Sequence, residues 1–90
     1  MKASVSETLY NLVCKRYKNY EYFLIEFTGY VSRAHCREIP VDAAVFPGNQ
    51  ITVELPDELC VEIMEDFSAE MNLSNALNIL MMSGILMGDL

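Results

Sequence analysis

The chain has no tryptophan, a single histidine (His35), and no lysine or arginine beyond Arg37. Its three cysteines, Cys14, Cys36 and Cys60, are an odd number and stand far apart, with no Cys-x-x-Cys pair among them. That spacing supplies neither a zinc-ligand set nor a disulfide framework. The cysteines therefore read as small apolar residues in a reduced compartment. Glycine is scarce, with four residues, and none forms a phosphate-cradling loop. With one histidine and no supporting motif there is no Ser-His-acid or metal constellation, so neither an enzyme nor a cofactor is expected. The most apolar tract, LSNALNILMMSGILMGDL, is interrupted by Asn75, Asn78, Ser83 and Gly84. It falls short of the ~18 unbroken apolar residues of a membrane span and reads as a core or dimer helix. Lys15, Arg16 and Lys18 follow the short apolar stretch near the start instead of preceding it, unlike a secretory signal. A cytoplasmic protein that avoids membranes is the expectation.

What is present is unusually apolar for its size. A chain of 90 residues makes one small domain, and 52% of it is hydrophobic. Folded alone, such a chain buries only ~60–65% of its unfolded surface. The excess apolar surface points to a second copy, and a symmetric homodimer is the simplest way to cover it. Charge is unevenly divided within a formal total of -7. All six basic residues lie in 1–49, whereas 50–90 carry Glu54, Asp57, Glu58, Glu62, Glu65, Asp66, Glu70 and Asp89 with no basic residue. Such an acidic half repels phosphate backbones and favours basic partners.

Along the chain, Ser4 and Glu7 have the spacing of a capping box. Leu9, Leu12, Val13 and Tyr17 recur at helical intervals, so a first helix is expected over about 5–18. Lys15, Arg16 and Lys18 then suit the negative end of its dipole. From Tyr20 the sequence turns aromatic and β-branched, with Thr28-Gly29 as a turn signal. A hairpin is expected there, with Phe23, Ile25 and Phe27 on one strand face. Its second strand, from Tyr30, would place Val31, Arg33, His35 and Arg37 on one side; a helix through Phe23–Phe27 is the competing reading. IPVDAAVFPGNQ serves as connector, and no internal repeat is visible. Beyond it, Ile51, Val53 and Leu55 alternate with Gln50, Thr52 and Glu54 as in a half-buried strand. Pro56 ends that strand and leads into a helix built on Leu59, Ile63 and Phe67, broadened by Val61 and Met64. Asn72 suits a helix end, and Leu73-Ser74 a helix start. The expected class is α+β: helix, hairpin, connector, strand, helix, helix, all in one domain, with 1–46 an extension and 50–86 the dimerisation unit.

Residues 50–86 (strand, Leu-Pro-Asp-Glu-Leu, helix, turn, Leu-Ser, helix) resemble the ribbon-helix-helix repressors. The resemblance implies an intertwined homodimer in which two copies of 50–55 pair as an antiparallel ribbon. Ile51, Val53, Leu55, Leu59, Ile63, Phe67, Leu77 and Leu80 would form its core. It also implies a DNA-reading ribbon face at Gln50, Thr52 and Glu54. The second-helix start, at Ser74, Asn75 and Ala76, would grip phosphate through backbone N–H groups. This sequence departs from that pattern in having no basic residue to hold phosphate, and in placing Met81 and Met82 where polar residues are usual.

Two other clusters bear on function. CKRYKNYEY interleaves Lys15, Arg16 and Lys18 with tyrosines, a texture that can follow a nucleic acid strand or meet an acidic partner. Glu58, Glu62 and Asp66 share a helix side with Glu65. A carboxylate stripe is most simply a solvated face; as a site it would hold a hard cation or a basic protein surface. The first expectation is a small acidic homodimeric regulator that binds another protein through Glu58, Glu62, Glu65 and Asp66, inhibiting it or imitating nucleic acid toward it. The alternative is a DNA-binding transcriptional regulator using Gln50, Thr52, Glu54, Ser74 and Asn75, helped by Lys15, Arg16 and Lys18.

Overall fold

A computed structural model describes residues 1–34, 48–65, 72–86, 88 and 90. The fold is α+β, with the order β1 (Lys2–Ser6), α1 (Glu7–Tyr17), α2 (Tyr20–Ala34), β2 (Gln50–Glu54), α3 (Asp57–Met64) and α4 (Leu73–Leu86). Strand, helix, helix therefore occurs twice. The sequence shows no repeat because it is carried by positions and hardly at all by identities. Leu9 and Val13 are buried on α1, and Leu59 and Ile63 are buried on α3 at matching places. Asn19 and Asn72 open the second helix of each half in the same way. The Asn19 Oδ1 accepts from the Tyr22 N–H at 3.0 Å, and the Asn72 Oδ1 from the Asn75 N–H at 2.8 Å.

The two strands pair with each other, antiparallel, with Lys2 opposite Glu54, Ser4 opposite Thr52 and Ser6 opposite Gln50. One further bond extends the ladder at each end, from the Leu55 N–H to the Met1 carbonyl at 2.8 Å and from the Glu7 N–H to the Asn49 carbonyl at 3.0 Å. The match between the two ends gives the ribbon an internal two-fold character. The expected first helix thus begins later, at Glu7. Ser4 and Val5 belong to a strand, because Ala3 and Val5 alternate with Lys2, Ser4 and Ser6 so that one face is apolar. Ser6 occupies the N-cap position without a side-chain cap bond, so the Ser4–Glu7 capping box is not formed.

Residues 20–34 are helical, which corrects the expected hairpin. Phe23, Phe27, Tyr30 and Val31 follow i, i+4, i+7, i+8 spacing and are all buried, whereas Ile25 is exposed. Burial of that stripe overrides the strand preference of aromatic residues. Thr28-Gly29 does not turn the chain. The Thr28 hydroxyl donates back to the Leu24 carbonyl at 2.7 Å, a bond that a helix accommodates. His35, Arg37 and the connector lie outside the described residues.

The core is closed by α4, which is buried at Ala76, Leu77, Ile79, Leu80 and Met81 and also at Asn78, Ser83 and Gly84. A helix apolar on most sides belongs at the centre of a domain, and this one meets β1 and all three other helices. Gly84 leaves room for the Leu90 side chain and the edge of the Tyr30 ring, and the Tyr30 and Ser83 hydroxyls share a buried hydrogen bond of 3.0 Å. Much of the apolar sequence is thereby buried within one chain, while Leu12, Tyr22, Ile25, Val61 and Leu86 stay exposed. Exposed area is 5470 Å², close to the roughly 5300 Å² of an ordinary monomer of this mass. Val53, Leu55, Leu59, Ile63, Leu77 and Leu80 are buried in that single-chain core, Ile51 is packed against it, and Phe67 lies outside the described residues. Within the chain, one edge of β2 pairs with β1.

Asn78 holds the free edge of β1. Its Oδ1 accepts from the Ser6 N–H at 2.8 Å, and its Nδ2 donates to the Ser4 carbonyl at 3.0 Å. The Ser74 hydroxyl accepts from the Ser4 N–H at 2.9 Å. Two helix side chains thus take the place of a third strand and protect an edge that would otherwise recruit one. Asn78→Ala leaves a buried N–H and a carbonyl unsatisfied. The expected loss is about 2–4 kcal/mol in urea denaturation, with early hydrogen exchange at Ser4 and Ser6. A loss under about 0.5 kcal/mol, the level of an ordinary surface substitution, would show that the edge is held by something else.

Candidate interaction surface

Three surfaces carry the residues singled out from the sequence. The first is the outer face of the ribbon, where Gln50, Thr52 and Glu54 are all exposed, as alternation requires. The strand register adds Lys2 and Ser4 to this face. Sequence reasoning missed both because Ser4 was read as the cap of a helix over about 5–18 and Lys2 was given no element; the Lys2/Ser4/Ser6 alternation was the available signal. The face carries little net charge. Glu54 lies opposite Lys2 and also takes the Met1 ammonium at 2.8 Å, with Asp57 at 3.3 Å. Hydrogen bonding to Glu54 and Asp57 raises the pKa of that ammonium.

The second surface consists of the helix starts flanking the ribbon. Beside β1, the start of α4 is already engaged. The Asn75 N–H is held by Asn72 Oδ1, the Ala76 N–H by the Asn72 carbonyl at 3.1 Å, and the Ser74 hydroxyl by β1. Asn72 therefore begins a helix, where it was expected to end one, and it displaces Ser74 from the cap. Two of the three N–H groups expected to grip phosphate are used inside the chain. Beside β2, the Tyr20 hydroxyl donates to the Glu54 carbonyl at 3.2 Å, bringing the start of α2 to the end of the ribbon. Burial drives the Tyr20 pKa far upward, so the phenol stays neutral. Lys15, Arg16 and Lys18 precede this start and are exposed. Lys18 sits at φ 67, where the Asn19 N–H bonds to the Tyr17 carbonyl at 2.8 Å across a three-residue turn.

The third surface is α3. Glu58 and Glu65 are exposed, and Glu62 is half-buried with its Oε1 accepting from the Ser32 hydroxyl at 2.7 Å. Asp66 lies outside the described residues. Beside these carboxylates runs an open apolar groove of about 590 Å³ lined by Met1, Asp57, Cys60, Val61, Met64, Glu65 and Leu73. Val61 is 64% exposed. Burial raises the Cys60 thiol pKa, which keeps it protonated and makes it a wall of the groove and a poor nucleophile.

The geometry separates the two charge clusters. Lys15, Arg16 and Lys18 lie at the α1–α2 turn of the first half, while Glu58, Glu62 and Glu65 line α3 of the second. Among the described residues no helix is long and apolar enough to cross a membrane. Searches against known protein families, curated proteins and solved structures return no match.

The equivalence of the two asparagine caps is testable. Asn72→Ala and Asn19→Ala are each expected to cost about 1 kcal/mol in chemical denaturation. Unequal losses, with one near zero, would contradict the repeat.

Proposed function

We propose that this chain is a protein-binding regulator built as a single-chain counterpart of the ribbon-helix-helix unit, and that it acts through its acidic α3 face. The order β-α-α repeated twice and the matched strand register support the scaffold reading. In this reading β1 supplies the ribbon strand that a second chain provides in a homodimer, so the interface expected between copies is internal. The observation that carries the function is the side of α3 bearing Glu58, Glu62 and Glu65, with no basic residue anywhere in 50–90. A surface of one sign accelerates and selects encounters with the opposite sign. The partner is accordingly a protein with a basic surface, of the kind that nucleic-acid-binding proteins present.

DNA reading is the weaker alternative. Gln50, Thr52 and Ser4 offer hydrogen-bonding groups on the ribbon face, but affinity for duplex rests largely on cations that neutralise phosphate. On this face Lys2 is opposed by Glu54, and the start of α4 is already capped.

Anisotropy titrations with a lysine-rich peptide and with a DNA duplex separate the two. The acidic-face reading expects peptide binding that weakens with salt and drops roughly tenfold when three charges are removed in Glu58→Gln/Glu62→Gln/Glu65→Gln, at about 0.5 kcal/mol per charge. It expects no duplex retained even at low salt. Duplex binding with a steep salt slope, lost on Thr52→Ala or Lys15→Glu, would overturn it in favour of DNA reading.

A further inference from the structure

We infer that the groove between α3 and the start of α4 is a docking site for a cationic segment of a partner protein that carries one large aromatic or aliphatic side chain. The inference rests on the acidic-face reading above and adds an anchor to it.

The repeated strand-helix-helix order offers a comparison for this space. Placing α1 on α3 and α2 on α4 brings Tyr10 to Cys60, Cys14 to Met64 and Tyr20 to Leu73. In the first half the Tyr10 and Tyr20 rings lie against each other, with centroids 5.8 Å apart. In the second half the corresponding positions hold Cys60 and Leu73, and both line the groove. Two rings are thus replaced by a thiol and an isobutyl group. The walls, Cys60, Val61, Met64 and Leu73, are apolar and smaller than the two rings at the matching positions. Methionine walls adapt readily to an inserted ring.

The rim selects the rest of the ligand. Asp57 and Glu65 border the groove, and Glu54 and Asp57 already hold an ammonium group, that of Met1. Lysine or arginine residues on either side of the anchor would approach Glu65 and Asp57, the latter shared with the Met1 ammonium. A second copy of this chain is a poorer occupant. Its exposed Tyr22 and Ile25 lie near Arg16 and Lys18, but each copy carries a net charge of -7, and long-range repulsion opposes their approach. A basic partner is drawn in by that same charge.

The test compares two short synthetic peptides, one with a phenylalanine flanked by lysines and arginines, the other with serine in its place. The proposal expects the phenylalanine peptide to bind at least about tenfold more tightly, the effect of burying one large apolar side chain. Val61→Lys, at an exposed position, should erase that preference while leaving the serine peptide's affinity within about twofold, since one rim charge changes binding little. Cys60→Tyr, which installs the first half's residue, should also erase it; the exposed Val61 variant keeps the test valid should this one fail to fold. Equal binding of the two peptides would overturn the groove and leave the acidic face standing. Binding of neither would overturn both. Self-association abolished by Val61→Lys would make a second copy the occupant and would also overturn the proposal.

Discussion

The pairing of Lys2–Ser6 with Gln50–Glu54 is the constraint on which the rest depends. It joins the first residues of the chain to a stretch near its middle, and it buries Ala3, Val5 and Val53 on one face. Each strand leads into a helix pair whose direction it sets, so the ribbon also fixes where α2 and α4 begin. Two strands alone are marginal in water. This ribbon persists because α1 packs on both strands and α4 on β1, and because Ser74 and Asn78 hold the open edge of β1. Asn78 is buried yet fully bonded, and a buried polar group of that kind specifies one arrangement because any other leaves it unsatisfied.

The two halves share an element order and differ in how their helices pack on the strands and in surface. The first keeps aromatic packing through Tyr10, Tyr17, Tyr20 and Phe23 and carries its cations at the α1–α2 turn. The second has Cys60 and Leu73 at the places of Tyr10 and Tyr20 and lines α3 with carboxylates. A symmetric dimer must present the same surface twice. A chain holding both halves is free of that requirement; here one flank packs Tyr10 against Tyr20 and the other is an apolar groove bordered by Asp57 and Glu65.

The second half was largely legible in the sequence. Ile51, Val53 and Leu55 alternate strictly, Pro56 punctuates, and Leu59 and Ile63 recur at helical spacing, so β2 and α3 follow from local rules. The first half was not, for two physical reasons. Five residues at the start form too short a strand to outweigh the Ser4–Glu7 capping signal, and their strand character is fixed by a partner far away in the chain. In 20–34 the aromatic composition favours a strand, while the burial of Phe23, Phe27, Tyr30 and Val31 decides for a helix. The acidic face was legible as charge alone. The groove beside it was invisible, because it depends on how Cys60 and Leu73 come together in space.

The central claim is that the ribbon closes within one chain. Isotope-filtered NMR on an equimolar mixture of labelled and unlabelled protein tests it most directly. The account predicts contacts between Ser4 and Thr52 only within a chain, and a monomer by light scattering at micromolar concentration. Filtered cross-strand contacts between residues 50–54 of two different chains would contradict it.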